Sequence, residues 1–457
     1  MSVKKKAVAA GMDMTTGSLW KKIMLFSVPL MFSQVLQVLF NMADVAVVGK
    51  FSSAEALGAV GSTTILVSLF TGFLIGMGSG VNVIVAQHLG AKEKQEVMES
   101  IHTALLLCLL IGGIIMALCL ALAGPMLRLL NTKDDLIAGA ELYFRIYALG
   151  MPALALFNFG NAVLSANGDT TRPLLYLIIA GVLNVILNVF FVIVCGMAED
   201  GVALASIISQ YVSAFLVLLH MIHQKDDCSL HLSKVRLYKG RSKPLLALGI
   251  PAGFQNAIFA IANLFIQRGV NSFESVMVEG NSAASNADTL IYNVMAAFYT
   301  ACSSFMGQNW GACKHDRVLK SYLISLTYSF AIGAVLGGAL LLWGREFLLL
   351  FTNEPEVIDA GMQRLGIMGF SYCVSAFMDC TIAASRGIGK SFIPTVIVIL
   401  GSCVFRVIWV YTIFAHFHTI PSLYLLYIFS WTITSIAEIA YFVVCYRARL
   451  RSVAAIR

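Results

Sequence analysis

The chain has 457 residues, of which 59% are hydrophobic and only 12% charged, with a formal net charge of +7 and a mean hydropathy of +0.83. Soluble domains carry roughly 25% charged residues, so a soluble globular protein is excluded and little chain is left for a separate soluble domain. The positive balance does not point to nucleic acid, because the basic residues gather in alternate loops, which membrane topology explains by itself.

A helix crossing about 30 Å of hydrocarbon needs roughly 20 mostly apolar residues. Apolar runs broken by charge or turn signals place spans near residues 23–48, 57–85, 100–124, 142–164, 173–196 and 201–222. A second set follows near 244–268, 283–308, 319–343, 360–383, 392–415 and 421–445. The first run exceeds a signal-peptide core and lacks a small-residue cleavage site, so it reads as a retained span. The expected fold is all-α integral membrane, with about twelve transmembrane helices in two six-helix bundles. The expected organisation is a cytoplasmic N-terminal segment (1–22), an N-terminal bundle (23–222), a cytoplasmic linker (223–243), a C-terminal bundle (244–446) and a cytoplasmic tail (447–457).

Orientation follows from the lysines and arginines. With the chain start inside, the inner side takes Lys4, Lys5, Lys6, Lys21, Lys22, the basic linker, Arg386, Lys390 and the arginines of the tail as far as Arg457. The opposite loops and the span ends beside them take only Lys50, Arg128, Lys133, Arg145, Arg268, Arg345 and Arg364. This bias predicts a multi-pass protein of the cytoplasmic (inner) membrane with both termini in the cytoplasm.

The halves repeat. Gln87, Gly90 and Ala91 match Gln308, Gly311 and Ala312, and Gly168 and Pro173 match Gly389 and Pro394, at a separation of about 221 residues. One residue of slippage aligns Pro29 with Pro251. Because each half starts on the same side, the two bundles should be related by a pseudo-two-fold axis along the membrane normal. Gly72, Gly76 and Gly80 on span 2, and Gly333 and Gly337 on span 9, recur every fourth residue and predict close helix approach.

An ionisable residue at the centre of a span costs about 2.5–3.5 kcal/mol on insertion scales, so each one asks for a reason. Asp44 is the leading case. It follows Gln34, Gln37 and Asn41 along span 1 and falls in the outer half of the bilayer. Asn184 and Asn188 lie four apart on one face of span 5, and Ser206 near the start of span 6 has similar depth. A carboxylate, two amides and a hydroxyl suit a hard cation such as Na+, while a desolvated Asp44 could instead carry a proton; both stand open. No other metal site is expected. The second half offers Gln255, Asn256, Asp379, Arg406 and Glu438 for substrate contact or a buried polar network. Depth counting argues against a direct Asp379–Arg406 pair and puts Glu438 nearer Asp379. The ten cysteines show no CxxC pair, and HExxH, a nucleophile elbow and a Gly-rich nucleotide loop are all absent. An enzyme is therefore not expected, nor any cofactor beyond a coupling ion.

The segments GSGVNVIVAQHLGAKEKQEV (78–97) and SSFMGQNWGACKHDRV (303–318) resemble the multidrug and toxic compound extrusion (MATE) family. LFNMADVAVVGKF (39–51), SANGDTTRP (165–173) and SRGIGKSFIP (385–394) agree with it, and the resemblance runs from about Leu19 to Tyr446. It implies two bundles forming a V around a central cleft, with alternating access driven by Na+ or H+. It also implies a cation site in which a span-1 aspartate works with an N-x-x-x-D pair on span 5 and a span-6 hydroxyl. Asn188 stands where that pair has its aspartate. Family members that couple through the second half carry a glutamate on span 7, where this chain has Gln255, Asn256, Asn263 and Gln267.

The expectation is a secondary active multidrug efflux transporter, a Na+ or H+ antiporter of amphiphilic organic cations. The alternative is a flippase of lipid-linked or other amphiphilic substrates in the same superfamily, which would want several basic residues deep in the cleft where only Arg406 is expected. Expected partners are small-molecule substrates and the lipid bilayer, with no nucleic acid and a monomeric state.

Overall fold

The computed structural model describes residues 11–456. Lys4, Lys5, Lys6 and Arg457, which entered the topology argument, lie outside the described residues. The helices follow in order as α1 (Leu19–Phe51), α2 (Ala54–Ala91), α3 (Lys94–Leu129), a bent unit α4 (Asp134–Ala148 and Met151–Ala166), α5 (Thr171–Val194) and α6 (Glu199–His223). The second half supplies α7 (Ser242–Val270), α8 (Ser275–Gly311), α9 (His315–Leu348), α10 (Pro355–Gly387), α11 (Phe392–Phe417) and α12 (Ile420–Ile456). There is no strand among the described residues. That is what lipid demands, because a helix pairs its own backbone groups where water cannot.

Among the described residues ten helices are long and apolar enough to cross a membrane, and eleven when the two arms of α4, bent by 44°, count as one span. The remaining long helix, α8, has 37 residues, but its first half carries Glu279, Asn281, Ser282, Ser285, Asn286 and Asp288. Two of these polar groups find partners on other helices. Arg364 on α10 binds both Asn281 and Asp288, Tyr372 donates to Asp288, and Tyr424 donates to Asn281 at 2.6 Å.

Helices α1–α6 form one lobe around Ile101, Phe144, Phe159 and Val217, and α7–α12 form the second around Met295, Tyr372, Leu423 and Tyr424. The backbone itself repeats. Lys92 and Cys313 end α2 and α8 with positive φ of 59° and 56°, and Gly168 and Gly389 turn into α5 and α11 at 86° and 81°. Identical strained positions in both halves are a signature of duplication that composition alone would not produce.

The lobes meet along the second half of α2. A Cβ on Gly76 would stand 2.4 Å from the Gly253 nitrogen, and one on Gly80 would stand 2.5 Å from the Gly249 nitrogen, so α2 and α7 approach backbone to backbone. Farther along, the contacts become reciprocal. Gly90 packs on the Gln308 carbonyl and Gly311 on the Gln87 carbonyl. Gln87 donates to Gly387 O at 2.8 Å, and Gln308 donates to Ala166 O. Asn82 joins the same seam, donating to Ala162 O at 3.1 Å and accepting from Ser304 at 2.9 Å.

The chain ahead of α1 closes this end. Met14 is fully buried with Phe26, Phe298 and Phe305. Its backbone N–H donates to Gln308 at 3.2 Å, while Asn309 and Arg317 both donate to its carbonyl at 3.1 Å. On the other lobe, Gly168 leaves no room for a Cβ beneath Met12. The segment 11–18 therefore touches both lobes.

Candidate functional site

The far end of α1 carries Asp44, away from the seam just described. Its register is set by packing: the Phe40 ring lies where a Cβ on Gly181 would be, at 1.9 Å, so only glycine lets α1 settle so closely on α5. Nearer the chain start, Thr170 donates to Phe26 O at 2.9 Å. With the two helices pinned at these points, Asp44 lies one turn beyond Phe40 and meets Asn188, two turns beyond Gly181. Val48, Ala56, Tyr143, Val192 and Val202 form an apolar cluster in the same lobe, of which Tyr143 lies in the field of Asp44.

The half-buried Asp44 carboxylate accepts from two neutral donors. Asn188 Nδ2 donates to Oδ1, and Ser206 Oγ donates to Oδ2 at 3.2 Å. Asn188 also donates to Asn184 Oδ1 at 3.3 Å, and Asn184 to Ser206 Oγ at 3.5 Å, which closes the ring of four side chains. The buried Asn188 Oδ1 has no hydrogen-bond partner among the described residues. A carboxylate and an unpaired amide oxygen side by side form an electron-rich pocket that a hard cation or a proton would satisfy. Gln34, Gln37 and Asn41 lie on α1 outside this ring; the first two are half-buried and Asn41 is exposed.

The second lobe holds a different arrangement. Glu438 is fully buried, yet neither of its oxygens has a hydrogen-bond partner among the described residues, and the same is true of Asp379 Oδ2. Arg386 on α10 acts electrostatically on both acids, and Arg406 acts on Asp379 from farther along α11. Arg406 is buried against the faces of Tyr427 (4.6 Å), Trp431 (5.5 Å) and Phe259 (5.8 Å), and its Nε donates to Ser430 at 3.1 Å. Gln255 accepts from Arg386 at 2.8 Å, which ties α7 to α10. Asn256 spans the seam, donating to Gly72 O at 3.1 Å. Among the described residues no cluster of His, Cys, Asp and Glu forms a conventional metal site.

Comparison with known proteins completes the picture. The MatE family model matches residues 29–190 and again 251–412, one match in each lobe. The chain belongs to the MATE family. It is 31% identical over 361 residues to the probable multidrug resistance protein YpnP of Bacillus subtilis (strain 168), covering 79% of this chain and 80% of that one. It is 27% identical over 388 residues to the probable multidrug resistance protein YoeA of the same organism, covering 83% and 84%. An outward-facing multidrug resistance MATE transporter of the MOP superfamily superposes with a TM-score of 0.89 at 21% identity, over 97% of this chain and 99% of that one. The two-lobe MATE architecture is thus established for this multi-pass membrane transporter.

Within this MATE protein the four residues Asp44, Asn184, Asn188 and Ser206 come together as one hydrogen-bonded set. Residues outside the expected site also matter. Arg386, expected as an inner-loop charge, lies in the last turn of α10, where its field reaches Asp379 and Glu438. Arg364, expected at an outer span end, is buried and paired with Asp288, an acid inside α8. The expectation that Arg406 is the sole deep cation is therefore corrected. Arg364 is buried within α10 as well, but it is paired with Asp288, so it does not add to an uncompensated basic face. Around Asp44 the stacked pair Tyr143 and Tyr147, 6.0 Å apart on α4, lies in the field of the carboxylate. Their spacing of four residues near Arg145 was the available signal.

Proposed function

We propose that this MATE protein is a secondary active exporter of amphiphilic organic cations, working as a monomer and exchanging substrate for Na+ or H+ at Asp44. One observation carries the reading: Asp44 is a carboxylate within a membrane span whose hydrogen-bond partners are all neutral and which stands beside an amide oxygen without a donor. An isolated charge in a span is costly, so a mobile cation or a proton is the natural counter-charge. Loading neutralises the site; emptying restores the charge and favours an arrangement in which water reaches it. A seam that packs along one end, and can part there while the other closes, supplies the two arrangements that alternating access requires. The positive-inside bias supports cytoplasmic termini, which places the closed seam on the cytoplasmic side and Asp44 in the outer half.

The decisive measurement is efflux of a fluorescent organic cation from proteoliposomes under sodium and proton gradients imposed separately. Transport that follows one gradient identifies the coupling ion. Transport indifferent to both would overturn antiport.

A further inference from the structure

We propose that the crevice between the start of α7 and the start of α11 is a binding site for an anionic phospholipid, which holds the two lobes together at the seam end. The inference rests on the membrane architecture and is independent of the coupling ion at Asp44.

Two adjoining cavities make up the crevice, one of about 440 Å³ and one of about 710 Å³, and they share Ala247 and Phe392 as a common wall. Their linings differ in kind. The smaller presents Lys390, Arg449, Gln87 and Tyr441; the larger is walled by Leu246, Ile250, Pro251 and Phe392, with Lys243 at its rim. No acidic side chain lines either cavity among the described residues. A compartment that carries two cations among apolar walls, adjoining one that is almost wholly apolar, matches a phosphate headgroup joined to acyl chains, whereas a free anion would leave the apolar compartment unused.

The basic end is built rather than incidental. Gly389 takes a left-handed conformation with φ of 81°, and the Arg449 guanidinium lies 3.7 Å from where its Cβ would stand. Arg449 comes from the end of α12 and packs over the Trp310 ring at 5.5 Å, so it converges on the turn next to Lys390 from a different helix. The floor is fixed, since Ser391 donates to Leu248 O at 3.0 Å and anchors the start of α11 on α7. On the apolar side Phe392 is 68% exposed and Ile393 48% exposed, as expected of residues that meet acyl chains.

The position gives the site a consequence. Ile84 and Gln87 belong to the first lobe and the remaining lining to the second, and Gln87 bridges the lobes by donating to Gly387 O at 2.8 Å. A phosphate held by Lys390 and Arg449 beside this bond favours the joined arrangement, so anionic lipid binds the closed seam more tightly than the parted one.

The test uses the purified full-length protein and native mass spectrometry with phosphatidylglycerol, phosphatidylcholine of the same acyl chains, and inorganic phosphate. Phosphatidylglycerol is expected to bind in preference to phosphatidylcholine, and Lys390→Gln and Lys243→Gln are each expected to weaken it roughly fivefold. Lys390→Arg should restore it, which separates loss of charge from loss of fold. Phe392→Ser should weaken both phospholipids. Equal binding of the two phospholipids, or equal loss of both in Lys390→Gln, would overturn the proposal. Inorganic phosphate displacing phosphatidylglycerol at comparable concentration would overturn it too, by making the site one for free anions.

Discussion

The two lobes share a fold and a repeat, yet they treat buried acid in opposite ways. In the first, the single carboxylate of Asp44 is surrounded by Asn188, Asn184 and Ser206, none of which carries charge. In the second, Asp288 is paired with Arg364 at salt-bridge distance, while Asp379 and Glu438 lie in the field of Arg386 without a salt bridge among the described residues. The difference teaches that an acid in a span is not by itself a transport site. What matters is whether its counter-charge belongs to the chain. Where an arginine supplies it, the acid is committed to the structure; where nothing fixed supplies it, the acid is open to the coupling ion proposed above.

The comparison breaks most visibly at Asp44. Asp44→Asn should reduce gradient-driven efflux in proteoliposomes to background while leaving expression and membrane insertion near wild type, because an amide keeps one accepting oxygen, can donate through its nitrogen to the neighbouring amide or hydroxyl oxygens, and needs no cation. Efflux by this variant with wild-type gradient dependence would move the coupling role to Asp379 and Glu438.

The complementary change is Arg364→Gln. Removing the buried cation paired with Asp288 should destabilise the protein by about 3–5 kcal/mol, the range for breaking a buried charge pair. Thermal unfolding in detergent reads this directly, and a melting temperature within error of wild type would contradict the committed role of that pair. Asp44→Asn in the same assay should change little.

Gly181→Val tests whether packing positions the site. The added side chain has to displace the Phe40 ring, and overpacking of this kind costs about 1–3 kcal/mol. We expect a folded protein whose efflux needs a higher coupling-ion concentration, and Gly181→Val with Phe40→Ala should recover part of the loss. Unchanged ion dependence in the single variant would show that the α1–α5 register is not what sets the site.

A milder change sharpens the same contrast. Asn188→Asp adds a second carboxylate at the position where the span-5 pair described above has its aspartate, so transport should persist while its sodium or pH dependence shifts. Complete inactivation would mean that the site tolerates one negative charge only.

The smallest expected effect lies at the chain start. Burial by itself would raise the Asp13 carboxyl, but hydrogen bonds from Thr16 and Thr15 and the charge of Lys22 hold it at about 2, below its ordinary 3.8. The depressed value means that the docked segment binds its proton less readily than the released one. Its contribution is therefore full above about pH 4 and is lost as pH falls through about 2. Hydrogen exchange at residues 13–16 should rise over that window beyond the intrinsic rate change, and Asp13→Asn should remove the dependence.

Much of this was legible in the chain itself. Hydropathy counting located the spans because the bilayer imposes one length on every helix, and the recurring Gln, Gly and Pro landmarks exposed the duplication. Spacing of four residues put Asn184 and Asn188 on one face, and depth counting brought Asp44 and Ser206 to the same level. Helix α8 shows where apolarity stops being a guide. Its Asn281 and Asp288 are tolerated because Arg364, Tyr372 and Tyr424 reach them from other helices, and no window of sequence contains those partners. Arg386 marks the same boundary: its sequence neighbourhood reads as a loop charge, but in the folded lobe it donates to Gln255 on α7 and its field reaches Asp379 on α10 and Glu438 on α12. Sequence by itself determined where each helix runs, how deep each polar group lies and that the halves repeat, because these depend on local composition and a fixed rise per residue. Which way each helix turns, and so which buried charge finds a partner, was decided only by tertiary packing, since rotation about a helix axis is set by contacts between side chains far apart in the chain.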